Sequence, residues 1–489
     1  MSNAIDRRWI ALVVLCVGML MIVLDQTIVN VALPSIQRDL GFTTSKLAWV
    51  VNAYLIAFGG LLLLAGRMGD LIGQKRVFML GLALFTGASL LCGLANSQGL
   101  LIGARFLQGI GGATTSAVIL GMIVTMFPQP REQAKAIGVY SFVASAGASI
   151  GLLMGGVLTQ ALNWHWIFFV NLPIGAAAAI FATRFVDGQE GIGLRKGADV
   201  SGALLVTGAL MLGVYTILEV DRYGWGSAHT LGLGAVSLGL LAGFVARQAR
   251  AATPLMPLRI FRSRNVSGAN LIQMLMVAGL FGMFFLGSLY LQRVLGYDAL
   301  QIGLAFLPVA LLIGTLSLGF SARLNTRFGA RATLIPGLVL IVGGLLLFAR
   351  APVGADYLRD ILPSMVLLGI GAGLSFPSLM TLAMSGATRS DSGLASGLVN
   401  TSLQVGGALG LAVLATLASS HSKGLVADGQ SQGHALTSGY HLAFLIGAGL
   451  LTAAIALAVT VLTGENLAEV EELEPQPDVS AEPAYSKAA

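Results

Sequence analysis

An all-helical protein that crosses a membrane many times is the fold class this sequence predicts. Of its 489 residues 56% are hydrophobic and only 10% are charged, with a mean hydropathy of +0.83. A soluble domain carries roughly 25% charged residues, so the class is set by composition alone. Apolar stretches of about 20 residues, the length that spans hydrocarbon as a helix, recur along the chain. Only helices and closed barrels satisfy every backbone group in lipid, and stretches of this length are helical.

Fourteen such segments are expected, centred near residues 20, 55, 86, 112, 147, 176, 209, 239, 278, 311, 341, 372, 407 and 451. The first contains Asp25 and reaches Pro34 without a small-x-small cleavage site, so it reads as an anchor rather than a removable leader. An even number of spans places both termini on one side, and basic residues choose the cytoplasmic side. Only Arg38, Lys46, Arg222, Arg293, Arg350, Arg359 and Lys423 fall outside or at outer span ends, while Arg105 lies within the membrane and the rest of the 28 basic residues fall inside. The net charge of +6 is therefore topology information, and no nucleic-acid partner is implied. Cys16 and Cys92 lie nearer opposite faces, which argues against a disulfide and for packing.

The connections are short. Residues 254–262, with Leu255, Leu258, Ile260 and Phe261 among prolines and arginines, read as a basic amphipathic segment on the membrane surface. From Gly464 the chain is acidic and proline-bearing, and it is expected to be disordered. Trp9, Trp49, Trp164, Trp166 and Trp225 sit near span ends, as in an aromatic belt, and His165 is grouped with them.

A duplication organises the rest. Gly109-Ile110-Gly111 matches Gly369-Ile370-Gly371 at a shift of 260, and Gly138, Gly147 and Gly151 match Gly397, Gly406 and Gly410 at 259. Two similar shifts imply one repeated helical unit. The division expected is a six-helix bundle over 1–190, two added helices over 191–250, a second six-helix bundle over 251–464 and a tail over 465–489. Parallel duplicated bundles are a transporter plan in which substrate sits between halves that rock around it.

Asp25 and Arg105 are the chemical centre. A charged side chain at the bilayer centre costs roughly 2.5–3.5 kcal/mol on insertion scales, so each is read first as part of an ion or substrate pathway. Both are placed about 8–11 Å deep at 1.5 Å per residue, within pairing distance across helices. Burial disfavours a carboxylate's charge and a neighbouring guanidinium favours it. An acid whose partner or hydration changes between outward and inward states would take up a proton in one and release it in the other. The alternative is a static ion pair that fixes helix packing.

Around them, Gln108 shares the Arg105 face at i+3, and Gly109 and Gly112 keep that face open to a neighbour. Gln108 would orient Arg105, touch substrate, or serve as interhelical glue. In the ninth span Asn270, Gln273, Val277, Phe281, Phe284 and Ser288 form one stripe, with methionines nearby that tolerate varied shapes. Asn400 and Gln404, one turn apart, form a similar pair, and Tyr54 is a further candidate to line a cavity. Ordinary packing explains each of these as well. In the loop Gly66 to Arg76, glycines permit a tight turn and Asp70 is free to meet a helix N-terminus or a basic group such as Arg131. Gly147/Gly151 and Gly406/Gly410 are small-xxx-small packing surfaces.

Four motifs carry a family resemblance over nearly the whole chain: residues 24–34 (Leu24-Asp25-Gln26-Thr27 to Pro34), 66–76 (Gly66-Arg67-Met68-Gly69-Asp70 to Arg76), 105–111 (Arg105 to Gly111) and 163–173 (Asn163-Trp164-His165-Trp166 to Pro173). In that order they resemble the fourteen-span drug:proton antiporters of the major facilitator superfamily. The resemblance implies proton binding at Asp25 and coupling at Arg105. It implies a latch built on Gly66, Asp70 and Gly73, and a seal of the cavity along Gly147, Gly151 and Gly155. Leu152 departs from the family, which has a proline there that would kink the fifth span. Leu71 and Gln74 stand where basic residues are common.

The function expected is proton-coupled efflux of lipophilic cationic or neutral compounds from the plasma membrane by a functional monomer. It would need no cofactor beyond the proton gradient and no partner beyond its substrates, protons and membrane lipids. No Gly-x-x-x-x-Gly-Lys-Ser/Thr loop exists for an ATP-driven pump. The five histidines are scattered, which argues against a membrane enzyme. A dedicated exporter of one metabolite or lipid-like molecule, or a proton symporter, remains open on the same fold.

Overall fold

In a computed structural model the described residues are 2–127, 129–188, 191, 193, 198–385 and 392–462. The acidic tail, the side chain of Arg131 and the surroundings of Gly138 lie outside them. The chain is all helical: α1 (Ser2–Leu40), α2 (Thr44–Ile72), α3 (Gln74–Gly93), α4 (Gln98–Met126), α5 (Pro130–Ala161), α6 (Trp166–Phe169), α7 (Asn171–Phe185), α8 (Val200–Tyr223), α9 (Ala228–Arg250), α10 (Arg264–Arg293), α11 (Ala299–Thr315), α12 (Ser321–Phe328), α13 (Ala330–Phe348), α14 (Leu362–Ser385), α15 (Ser392–Ala427) and α16 (Gln432–Thr460). Among the described residues twelve helices are long and apolar enough to cross a membrane, and two shorter apolar ones are Ile150–Ala161 and Ala299–Thr315.

Local chemistry sets the helix ends. Thr43, Ser97, Asp199, Ser227 and Ser263 each accept a bond from a backbone N–H in the first turn of α2, α4, α8, α9 and α10, which satisfies a donor the helix cannot. Asp298 and Gln301 form a reciprocal capping box on α11. Gly73 at φ 98° ends α2 and Gly329 at φ 87° ends α12, and in each case the next helix starts at once. Glycine reaches this conformation without a Cβ penalty.

The duplication is visible in the packing. Along α5, Gly147 faces Leu20 and Val23, Gly151 faces Leu24 and Thr27, and Gly155 faces Ile28, all on α1. In the second half Gly406 and Gly410 of α15 grip Met274 and Ala278 of α10 in the same way. Gly111 of α4 lies on Phe85 of α3, and its counterpart Gly371 of α14 lies on Ile341 of α13. The halves meet through α2 against α15 and α5 against α11, two contacts related by the same repeat. Helix α8 packs on both α2 and α15, while α9 lies against α8 with only 11% of its span buried.

Three expectations change. Helix α1 continues through Pro34 to Leu40, so Asp25 sits fifteen residues from its end rather than near seven. The extension is held by Gln98 Nε2 donating to Leu40 O at 2.9 Å and by Trp164 Nε1 donating to Asp39 Oδ2 at 2.9 Å. Trp164 is accordingly buried and stacked on His165, with ring centres 3.7 Å apart, instead of belonging to a lipid-facing belt. Leu255 and Ile260 are buried as well, and Ile260 packs with Val266, Ala395 and Leu398. Part of the linker's apolar side, Ile260, therefore packs on α10 and α15, while Phe261 stays exposed.

Candidate functional site

Asp25 and Arg105 meet inside the first half. Arg105 Nη1 lies 2.5 Å from Asp25 Oδ2, with side-chain exposures of 1% and 0%. The other carboxylate oxygen, Oδ1, accepts from Gln108 Nε2 at 2.7 Å and from Asn171 Nδ2 at 3.1 Å. Gln108 is turned so that its Oε1 accepts from Arg105 Nη1 at 2.6 Å, and its Nε2 also reaches Ser89 Oγ at 2.6 Å. Arg105 Nε donates to Val50 O at 2.9 Å, and its guanidinium lies 4.5 Å from the Tyr54 ring centre and 5.8 Å from that of Phe168. A buried charge pair is tolerable only with good geometry and satisfied neighbours, and helices α1, α2, α3, α4 and α7 all contribute here.

The glycines explain how those helices come so close. A Cβ on Gly109 would strike Tyr54 O, and one on Gly112 would come 2.8 Å from the Tyr54 hydroxyl. Tyr54 is thus wedged between α4 and the cation, with Gln26 Nε2 donating to its hydroxyl at 3.4 Å. The second half carries no copy of this chemistry. At the shift of 260, Met365 and Leu368 stand where Arg105 and Gln108 stand, both fully buried.

Sequence reasoning missed Ser89 and Asn171. Asn171 lay within the quoted segment 163–173 and is a polar residue opening an apolar run, which was its signal; Ser89 had none. Cys92, read as packing, places its Sγ 3.6 Å from Gln108 Oε1. Both cysteines are free and buried.

The other candidates are spread apart. Gln273 and Gln404 are 2% and 3% exposed, and the Oε1 atom of each lacks a partner. Asn400 is exposed although one turn from Gln404. Phe281 lies against Gly407 of α15, and Phe284 packs on Phe306 with ring centres 5.3 Å apart. Asn270 is occupied by Ser402, whose hydroxyl donates to it at 2.8 Å. Asp70 is exposed and 3.7 Å from Arg67 on its own helix, with open space above Gly66. Leu152 directs its carbonyl at Gly303 of α11, so it belongs to the seam between halves, whereas Gly147, Gly151 and Gly155 face α1.

A second ion pair caps the added helices. Asp199 accepts from Arg247 Nε at 2.5 Å, Gln248 Nε2 at 2.7 Å and Gly202 N at 2.9 Å. Burial pushes this carboxyl up, but the bonds from Arg247, Gly202 and Gln248 outweigh it and hold it below the ordinary Asp value. Gln248 Oε1 in turn accepts from Met256 N at 3.0 Å, tying the α8–α9 pair to the linker.

Two related helical bundles, with an ion pair sealed inside one of them, define a membrane transporter rather than an enzyme. The chain belongs to the major facilitator superfamily, whose family model matches residues 15–411. It is 38% identical to the puromycin resistance protein of Streptomyces alboniger over 92% of this chain and 91% of that one. It is also 38% identical to the cephamycin export protein of Amycolatopsis lactamdurans, covering 92% of each. A multidrug resistance protein of Mycobacterium tuberculosis is 33% identical over 82% of this chain and 74% of its own length. Among solved structures, the fold is like a bacterial homologue of the human lysosomal transporter Spinster in an inward-facing, unoccupied conformation. That likeness has a TM-score of 0.67 at 16% identity and covers 92% of this chain and 96% of that one.

Proposed function

We infer that the protein is a proton-coupled efflux antiporter that exports lipophilic cationic or neutral compounds by alternating access, with fourteen membrane spans and both termini in the cytoplasm. The span count adds the apolar helices Ile150–Ala161 and Ala299–Thr315 to the twelve longer ones. The export reading rests on relatives named for drug resistance and antibiotic export.

The observation that carries the coupling is the sealed pairing of Asp25 with Arg105. Both carboxylate oxygens accept bonds, three in all from Arg105, Gln108 and Asn171. An added proton takes the fourth acceptor position of the carboxyl and removes the negative charge that makes its oxygens strong acceptors, which weakens all three contacts. It also removes the charge that balances Arg105 while Arg105 is 1% exposed. Leaving a buried charge without its partner costs about 3–5 kcal/mol, enough to favour a conformation in which water or a second ligand reaches the site. Proton binding and bundle movement are thereby one event. Gln273 and Gln404, with acceptor atoms unpartnered in this conformation, are proposed to meet hydrogen-bond donors on substrate when the halves part.

The test uses purified protein in liposomes without ATP, under an imposed proton gradient. Substrate addition should discharge the gradient for several chemically unrelated lipophilic cations. Response to one product alone would make it a dedicated exporter, and movement of both solutes in one direction would make it a symporter.

A further inference from the structure

We propose that the ends of α1, α3, α4 and α7 farthest from the Asn163–Trp166 loop form a binding site for the phosphate of an anionic phospholipid. A cavity of about 440 Å³ opens there among Arg7, Arg8, Gln74, Lys75, Met122 and Phe185. That is the size of a small-ligand pocket, roughly 300–1,000 Å³.

Its rim is cationic. Arg7 Nη2 donates to Arg184 O at 3.3 Å, Arg8 Nη1 to Met126 O at 3.3 Å, and Lys75 Nζ to Thr183 O at 3.1 Å. Each bond fixes a cation at the carbonyl end of a helix and uses one N–H of a group that has three or five. Two acids temper the charge, Asp187 on the rim and Glu132, which lies 3.6 Å from Arg8. Three cations against two acids leave the cavity positive.

The floor is apolar, and this selects a lipid over a soluble phosphate. Ala11 and Met122 lie about one helical turn inward of Arg7 and Met126, and Met126, Phe185 and Val186 complete the wall. Beyond it Phe181 of α7 and Leu80 of α3 expose 51% and 60% of their surface, an apolar path for acyl chains. Basic pockets between membrane helices are suited to such headgroups by charge, and an apolar wall beside them by burial.

The four helices gathered here are those that supply Asp25, Ser89, Arg105, Gln108 and Asn171. A phosphate bridging Arg7 and Lys75 would clamp α1 to α3 at one end of the bundle whose middle holds the ion pair.

The experiment counts phosphatidylglycerol retained by the full-length detergent-purified protein in native mass spectrometry, alongside thermal unfolding. The expected result is one tightly held phosphatidylglycerol and a melting temperature that rises with its concentration. Phosphatidylcholine and millimolar inorganic phosphate should give neither. Arg7→Gln with Lys75→Gln should weaken retention about tenfold or more. Thr125→Trp, which fills the mouth while keeping every charge, should weaken it similarly, so that loss is separable from misfolding or altered topology. Equal retention of phosphatidylcholine, equal stabilisation by inorganic phosphate, or undiminished retention in both variants would overturn the proposal.

Discussion

At the residue scale the ion pair and the amide between its partners act as one unit. Arg105→Ala leaves the Asp25 carboxylate in a sealed site with only two amide donors, and it should destabilise the protein by about 3–5 kcal/mol in a thermal or denaturant titration. Arg105→Lys keeps a charge but loses the bond to Val50 O or that to Gln108, so a smaller loss is expected; equal losses would mean the fork geometry is irrelevant. Gln108→Leu removes one donor to Asp25 and the acceptor for Arg105, and should impair coupling more than substrate binding. Asp25 and Arg105 were legible in the sequence because charge inside an apolar span is conspicuous. Ser89 was not, because a serine in a helix commonly bonds its own backbone and gives no periodic signal. The length of α1 beyond Asp25 was not legible, because Pro34 sits inside a helix that tertiary bonds carry on to Leu40.

Among the elements, glycine rows decide which helices approach and which are kept apart. Gly151→Ala would place a Cβ against the Thr27 side chain and 2.9 Å from Leu24 O, adjacent to Asp25 on α1. Stability should fall by about 1–3 kcal/mol, the usual cost of overpacking. Gly156→Leu would instead strike Ala299 and Leu300 across the seam between halves, and should slow transport with little effect on the first bundle's melting. Coincident effects of the two substitutions would contradict this division of α5. Gly147 and Gly151 were visible as a small-xxx-small pair, but which neighbour each faces was not, since spacing fixes a face and not a partner.

The added pair α8–α9 depends on an acid that titrates outside the apolar spans. Because the folded Asp199 carboxyl is held below its ordinary value, its stabilising effect is present at neutral pH, above the unfolded value. It is lost as pH falls through the depressed folded value. Protection of the α9 amides, taken relative to their intrinsic exchange at each pH, should therefore fall on acidification in the natural protein and become pH-insensitive over that range in Asp199→Asn. Asp199→Ala should cost at least about 1 kcal/mol through the lost cap alone.

For the molecule as a whole, the duplicated scaffold supplies two related halves, and among the described residues the fully buried ion pair lies in the first. Met365 and Leu368 occupy the places of Arg105 and Gln108, so the second half contributes contact surface without a matching charge pair. The duplication and the class of fold could be read from glycine spacing and hydropathy. The seam itself could not, because α2 against α15 and α5 against α11 join segments far apart in the chain with no shared local signal.

The central claim is that the proton exchanged for substrate resides on Asp25. The direct measurement is proton release from purified protein in lightly buffered detergent solution when a saturating lipophilic cation is added. The account predicts substrate-dependent release from the natural protein and no release from Asp25→Asn that still binds the cation. Undiminished release from Asp25→Asn would contradict it.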